Sequence, residues 1–211
     1  MAMPKNYEKN VFINCPFDEE YQPLFEAILF AVHRCGFVLR CAKEFGDSNQ
    51  IRIDKIVQLI GESKYAIHDL SRVTLKSTTD LPRFNMPLEL GIFIGCSKFG
   101  SRQHKQKVYL ILESEEYRFK KFISDLSGQD IQSHKDNPEA AIKVVRDWLS
   151  NKSEAKIPSA SKVWSEFQEF TLQLPAVCEE IELIPKELTF EELSSITTTW
   201  MMNNYPELYS E

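Results

Sequence analysis

The segment Ile53-Asp54-Lys55-Ile56-Val57-Gln58-Leu59-Ile60-Gly61-Glu62-Ser63-Lys64-Tyr65-Ala66-Ile67-His68-Asp69 changes its period half-way along. Ile53, Ile56, Val57 and Ile60 recur at helical spacing as far as Gly61, whereas Tyr65 to Asp69 is a short apolar run of the kind a buried parallel strand takes. Upstream, Val11-Phe12-Ile13-Asn14-Cys15 is a second such run, closed by Pro16. A helix capped by Asp18 is predicted from there to Arg34, with Leu24, Ile28 and Ala31 or Val32 on its apolar face and Gly36 as its stop. Phe37 to Ala42 reads as the second strand, and the polar Gly46-Asp47-Ser48-Asn49 as the turn that follows it.

Downstream, residues 70–84 form a polar loop, and a helix begins around Pro87, a residue favoured in a first helical turn. Its sequence, Leu88-Glu89-Leu90-Gly91-Ile92-Phe93-Ile94-Gly95, is apolar nearly all round and is therefore expected to be buried. Lys107 to Leu112 is a fourth strand, a short helix falls between Glu115 and Asp130, and a weak last strand lies near Asp130-Ile131-Gln132. Asn137 then caps a helix that starts at Pro138. Strands alternating with helices require right-handed crossovers, so residues 1–150 are expected to form an α/β, doubly wound parallel sheet of four to five strands.

Residues 151–211 differ in composition. They hold 4 Lys, no Arg and 11 Glu, and all seven glycines of the chain lie before them. They are read as an acidic helical C-terminal extension, with Val163, Phe167, Phe170 and Leu174 on one helical stripe. A capping box of Thr189 and Glu192 opens the last helix, whose Phe190, Leu193, Ile196 and Trp200 are spaced to pack on something. The chain's net charge of -6 thus belongs to this extension, since the first 150 residues carry 21 basic and 20 acidic groups. Neither part is a basic platform for nucleic acid. No apolar run is long enough for a membrane span, and the N-terminus lacks the layout of a secretory signal, so a cytoplasmic protein is expected. Five cysteines without a C-x-x-C pair argue against a zinc site or disulfide framework.

Open α/β sheets bind ligands outside the carboxyl ends of their strands. Those ends bring Asn14 and Cys15, Glu44, Asp69 and Glu113 to one rim, and the loop after the third strand adds Asn85 and Glu89. No glycine-rich phosphate loop is among them. Glu89 in a first helical turn is held ionised by the helix dipole and opposed by burial, which suits a nucleophile or a stabiliser of an oxocarbenium-like sugar carbon; it equally suits a helix-starting acid. Asp69 can bind a ribose hydroxyl or carry a proton, or else cap the next turn or pair with Arg72. Arg52 can meet a phosphate or pair with Asp54 or Glu62. His68 should point to the opposite face from Asp69 and be structural.

The run Ser63-Lys64-Tyr65-Ala66-Ile67-His68-Asp69-Leu70-Ser71, with Asn85-Met86-Pro87-Leu88-Glu89-Leu90-Gly91 after a polar loop, resembles the nucleoside 2-deoxyribosyltransferase and bacterial TIR-like superfamily. The resemblance spans about Val11 to Leu149 and takes in Val11 to Phe17 as first strand and ligand-facing loop. It implies a flavodoxin-like sheet, Glu89 as catalytic glutamate, Asn85 as the amide before it, and Asp69 as the acid ending the third strand. Asn14, Cys15, Phe17, Arg52, Arg72 and Asn85 then become substrate-binding. Arg83 stands where deoxyribosyltransferases usually place an Asp, which favours the TIR-like branch. That branch implies cleavage of the nicotinamide–ribose bond of NAD, with NAD as substrate and no cofactor or metal. It also implies homo-oligomers and, in many such proteins, a role in bacterial antiphage defence. A partner bound through the C-terminal helices is a further expectation.

Overall fold

The computed structural model describes residues 6–44, 51–72, 84–118, 123–126 and 128–208. The turn at Gly46 to Asn49 and Arg83 lie outside them. Five strands, β1 (Asn10–Asn14), β2 (Val38–Cys41), β3 (Tyr65–Asp69), β4 (Val108–Glu113) and β5 (Ile131–Ser133), form one sheet in the order β2-β1-β3-β4-β5. Every neighbouring pair is parallel, with Ile13 beside Ile67 and Asp69 beside Leu112. This is the doubly wound, flavodoxin-like order, whose reversal point falls between β1 and β3.

Alternation along the strands assigns the two faces. Val11 and Ile13 of β1, Tyr65 and Ile67 of β3, and Leu110 and Leu112 of β4 point to the face covered by α1 (Gln22–Arg34) and α4 (Pro138–Lys152). Phe12 and Ala66 point to the other face, where α2 (Arg52–Gly61) and α3 (Asn85–Phe99) lie. Asn137 caps α4 as read from the sequence, its side chain accepting from the Ala140 amide at 3.0 Å. Gly36 ends α1 with φ of +81°, a left-handed backbone that only glycine adopts without cost. The start of α1 differs from expectation: Asp18 accepts from the Tyr21 amide at 3.1 Å in a preceding turn, and the helix begins only at Gln22, with Pro23 in its first turn. Between Glu115 and Asp130 the described helix is a three-residue 3-10 turn, Ser124–Leu126.

Helices α5 (Ala160–Glu180) and α6 (Phe190–Asn204) lie on the outer side of α1 and share its hydrophobic core. Phe30 of α1 sits among Phe167, Phe170 and Trp200, with ring centres 5.4 to 5.6 Å away. Each aromatic buried there contributes about 1.5–3 kcal/mol. The Arg34 guanidinium, on the same helix, donates to Glu166 at 2.7 and 3.3 Å and stacks 4.0 Å over the Tyr205 ring. Because α1 is covered by the sheet on one side and by α5 and α6 on the other, Ala27 through Arg34 are all buried. The capping box of Thr189 and Glu192 opens α6 as expected. No helix of the described residues is long and apolar enough to cross a membrane.

Candidate active site

All five strands end at one rim. Asn14, the last residue of β1, donates its side-chain amide to the Met86 carbonyl of α3 at 2.8 Å and lies 3.0 Å from the His68 ring. It thereby ties the first turn of α3 to the end of the sheet. His68 faces α3, edge-on to Phe12 and Phe93, while Asp69 faces α1, so the two neighbours do point to opposite sides. Burial holds the His68 ring neutral, its pKa lowered to about 3.

Asp69 is fully buried and saturated with donors. One carboxylate oxygen accepts from the Ser71 amide at 2.8 Å and from the Ser71 hydroxyl; the other accepts from the Tyr21 hydroxyl at 2.7 Å and from His134 Nε2 at 2.9 Å. These fill the roughly four acceptor positions of a carboxylate. Burial works against ionisation, yet the hydrogen bonds from His134, Ser71 and Tyr21 outweigh it and hold the carboxyl below its ordinary range. His134 Nδ1 accepts from the Asp136 amide at 3.0 Å, which leaves the ring proton on Nε2. Serine and aspartate both meet Nε2, the serine at 2.9 Å, so the trio lacks the relay order of a hydrolytic triad.

The other buried acids of the rim are also engaged. Glu44 accepts from Arg40 at 2.8 and 3.0 Å and from the Cys41 amide at 2.7 Å. Glu113 accepts from the Ser114 amide at 2.9 Å and from Arg118, which also donates to the Ser71 carbonyl. Burial still raises the pKa of both Glu44 and Glu113, with their arginines opposing. Arg72 turns to the β1–α1 loop, 3.2 Å from Glu20 and 3.8 Å from Asp18.

Glu89 is different. Helix α3 begins at Asn85, two residues before Pro87, and this places Glu89 beyond the first turn, where the helix dipole helps least. Its residue is 5% exposed and it makes no hydrogen bond or ion pair among the described residues. Burial therefore wins, and the carboxyl is pushed up to about 7, with the charge of Arg52 pulling the other way. Arg52 is the exposed first residue of α2, and Asn85 the exposed first residue of α3. The Cys15 thiol, buried, feels both acids: burial first, then the charges of Asp69 and Glu89, push it well above its ordinary pKa. Phe17 packs edge-on against Phe25 at 5.6 Å and carries the Lys43 ammonium 4.5 Å over its ring.

The structure thus gathers Asn14, Cys15, Asp69 and Glu89 at the switch point, with Arg52 near Glu89. Sequence reasoning missed His134, Tyr21 and Arg118. The weak last strand expected near Asp130-Ile131-Gln132 continues to Ser133 and so delivers His134 to the rim, whereas Tyr21 carries no local signal. Among the described residues no cluster of three or more His, Cys, Asp or Glu could hold a metal ion. No family model matches the chain, and neither a curated protein nor a solved structure does.

Proposed function

We propose that the protein is an N-glycosidase that cleaves the nicotinamide–ribose bond of NAD or a related nucleotide, with Glu89 as the reacting carboxylate. The observation that carries this reading is that Glu89, alone among the buried acids of the rim, has no partner in the described residues. A carboxylate kept free at the cost of desolvation is available to a cationic sugar carbon, and a positive substrate restores its ionisation.

In this reading C1′–N1 breaks heterolytically and its electron pair goes to the pyridinium nitrogen, so nicotinamide leaves neutral. Glu89 stabilises the positive charge that develops at C1′, and water then adds there and releases a proton to solvent. A leaving group that is already cationic needs no acid to protonate it. One free carboxylate is therefore sufficient, and this favours a pyridinium glycoside over a neutral purine deoxynucleoside, whose base departs only with a proton donor. Asp69, with its acceptors filled, acts as a positioning residue that fixes the loop after β3. Asn85, the exposed first residue of α3, is then the amide for ribose, and Arg52, whose charge reaches Glu89, the cation for phosphate.

The test is product analysis of purified protein incubated with NAD. Nicotinamide and ADP-ribose in equal amounts are expected, with a rate that rises as pH passes up through about 7 and Glu89 ionises, and with loss of at least 100-fold in Glu89→Gln. Equal rates in the two proteins would sink the reading. Base exchange between deoxyinosine and adenine without NAD cleavage would replace it with nucleoside transfer.

A further inference from the structure

Helix α3, expected to be buried all round, keeps Phe84, Leu88 and Phe99 exposed. The opposite face of the sheet, under α4, holds a concave site that the proposed reaction does not use. Strand β5 pairs with β4 only from Ile111 onward, so the first half of β4 borders a cavity of about 430 Å³ instead of a neighbouring strand. Helix α4 forms the other wall. The volume lies in the range of small-molecule pockets.

Leu110, Val144 and Trp148 give the cavity its apolar surface. Trp148 is 8% exposed, and its indole N–H is buried without an acceptor among the described residues. A buried donor in that state is costly, which is why most find a partner. The indole of Trp200, by contrast, donates to Gln173 at 2.7 Å.

The polar wall is rich in side chains that end in two polar atoms side by side. Gln129, Gln132 and Asn151 bring three carboxamides, and Asp130 and Asp147 bring two carboxylates. Gln129 accepts from the Tyr109 hydroxyl at 3.2 Å, and the Gln132 amide donates to Asp130 at 2.6 Å. These bonds leave the Gln129 NH2, the Gln132 oxygen, one Asp130 oxygen and the whole Asn151 amide without a partner among the described residues. Formal charge on the lining cancels, Lys143 and Lys152 standing against Asp130 and Asp147, and Lys143 is already bonded to Asp147 at 2.6 Å.

We infer that this cavity binds a neutral sugar, a mono- or disaccharide, with the Trp148 indole N–H donating to one of its oxygens. Each sugar hydroxyl donates and accepts at once, and neighbouring hydroxyls match the paired atoms of a carboxamide or carboxylate. The C–H face of the ring meets the apolar surface of Leu110, Val144 and Trp148. A charged ligand finds no net countercharge on these walls, and a purely apolar one leaves the amides unpaired. The inference does not depend on the proposed reaction.

Proton–nitrogen correlation NMR of the full chain, titrated into the millimolar range with glucose, galactose, mannose, maltose and sucrose, tests it. The chain has three tryptophans, so three indole signals are expected, and Trp148→Phe identifies the one that matters. At least one sugar should move the Trp148 signal saturably and leave that of Trp200 in place. Asn151→Ala and Gln132→Ala change exposed and half-buried positions, so the rest of the spectrum should be kept while binding weakens by about tenfold. Adenosine and inorganic phosphate serve as heteroaromatic and anionic probes. A Trp148 signal unmoved by every sugar overturns the inference, as does one moved by adenosine or phosphate alone. Sugar binding untouched by both alanine variants overturns the assignment to this cavity.

Discussion

Replacing Asp69 by Asn is a sharp test of the rim, because it changes one oxygen to an amide nitrogen and nothing else. The best orientation keeps the side-chain oxygen toward the Ser71 amide, since that backbone donor cannot turn away. The new NH2 then faces the Tyr21 hydroxyl and His134 Nε2–H. The hydroxyl can rotate and accept. The imidazole cannot do so without moving its proton to Nδ1, where the Asp136 amide already donates. One buried donor is therefore left against another in either tautomer, at about 1–3 kcal/mol, and the charge-assisted character of the remaining bonds is lost as well. A total of about 2–4 kcal/mol follows. Urea unfolding followed by far-UV circular dichroism should show a midpoint about 1 M lower with an unchanged slope, taking a slope of about 3 kcal/mol/M. Asp69 has a lowered folded pKa, so its stabilisation is present above the ordinary carboxylate range and is lost as pH falls through the folded value; the gap between the two proteins should narrow below about pH 4. A variant within about 0.5 kcal/mol of the native protein at pH 7 would refute the donor account of this site.

Glu89→Gln should stabilise the fold. The folded pKa of about 7 lies above the unfolded value, so the charged form costs stability as pH rises through that window, and the variant should gain about 3 kcal/mol at pH 8 and nothing at pH 4 in the same urea assay. Arg34→Ala removes the two guanidinium bonds to the buried Glu166 and the stack on Tyr205 but leaves Lys162 3.4 Å from the carboxylate; a loss of about 2–3 kcal/mol is expected, read by thermal unfolding. Thr189→Ala removes the side-chain cap of α6 and should cost about 1 kcal/mol, measured by the shift in urea midpoint.

The alternation of strands and helices was legible because it is written in local periods: the switch from helical spacing before Gly61 to a short apolar run at Tyr65 is visible without any partner. The same holds for the Asn137 and Thr189 caps, where donor and acceptor lie three residues apart. Strand ends named the rim acids correctly, since parallel strands all finish on one side.

Which of those acids is engaged could not be read in this way. Asp69 meets Tyr21 across 48 positions of sequence, Ser71 meets His134 across 63, and Arg34 meets Glu166 across 132. Pairs so distant leave no periodic trace, and only packing decides that Asp69 has four donors while Glu89 has none in the described residues. Local pattern likewise showed α3 apolar on every side but not which side the chain would cover. The sequence by itself determined the order of elements, their caps and the rim on which the acids stand. The tertiary structure alone decided the third helical layer over α1, the saturation of Asp69, the desolvated freedom of Glu89 and the open face of α3, because each depends on atoms brought together from opposite ends of the chain.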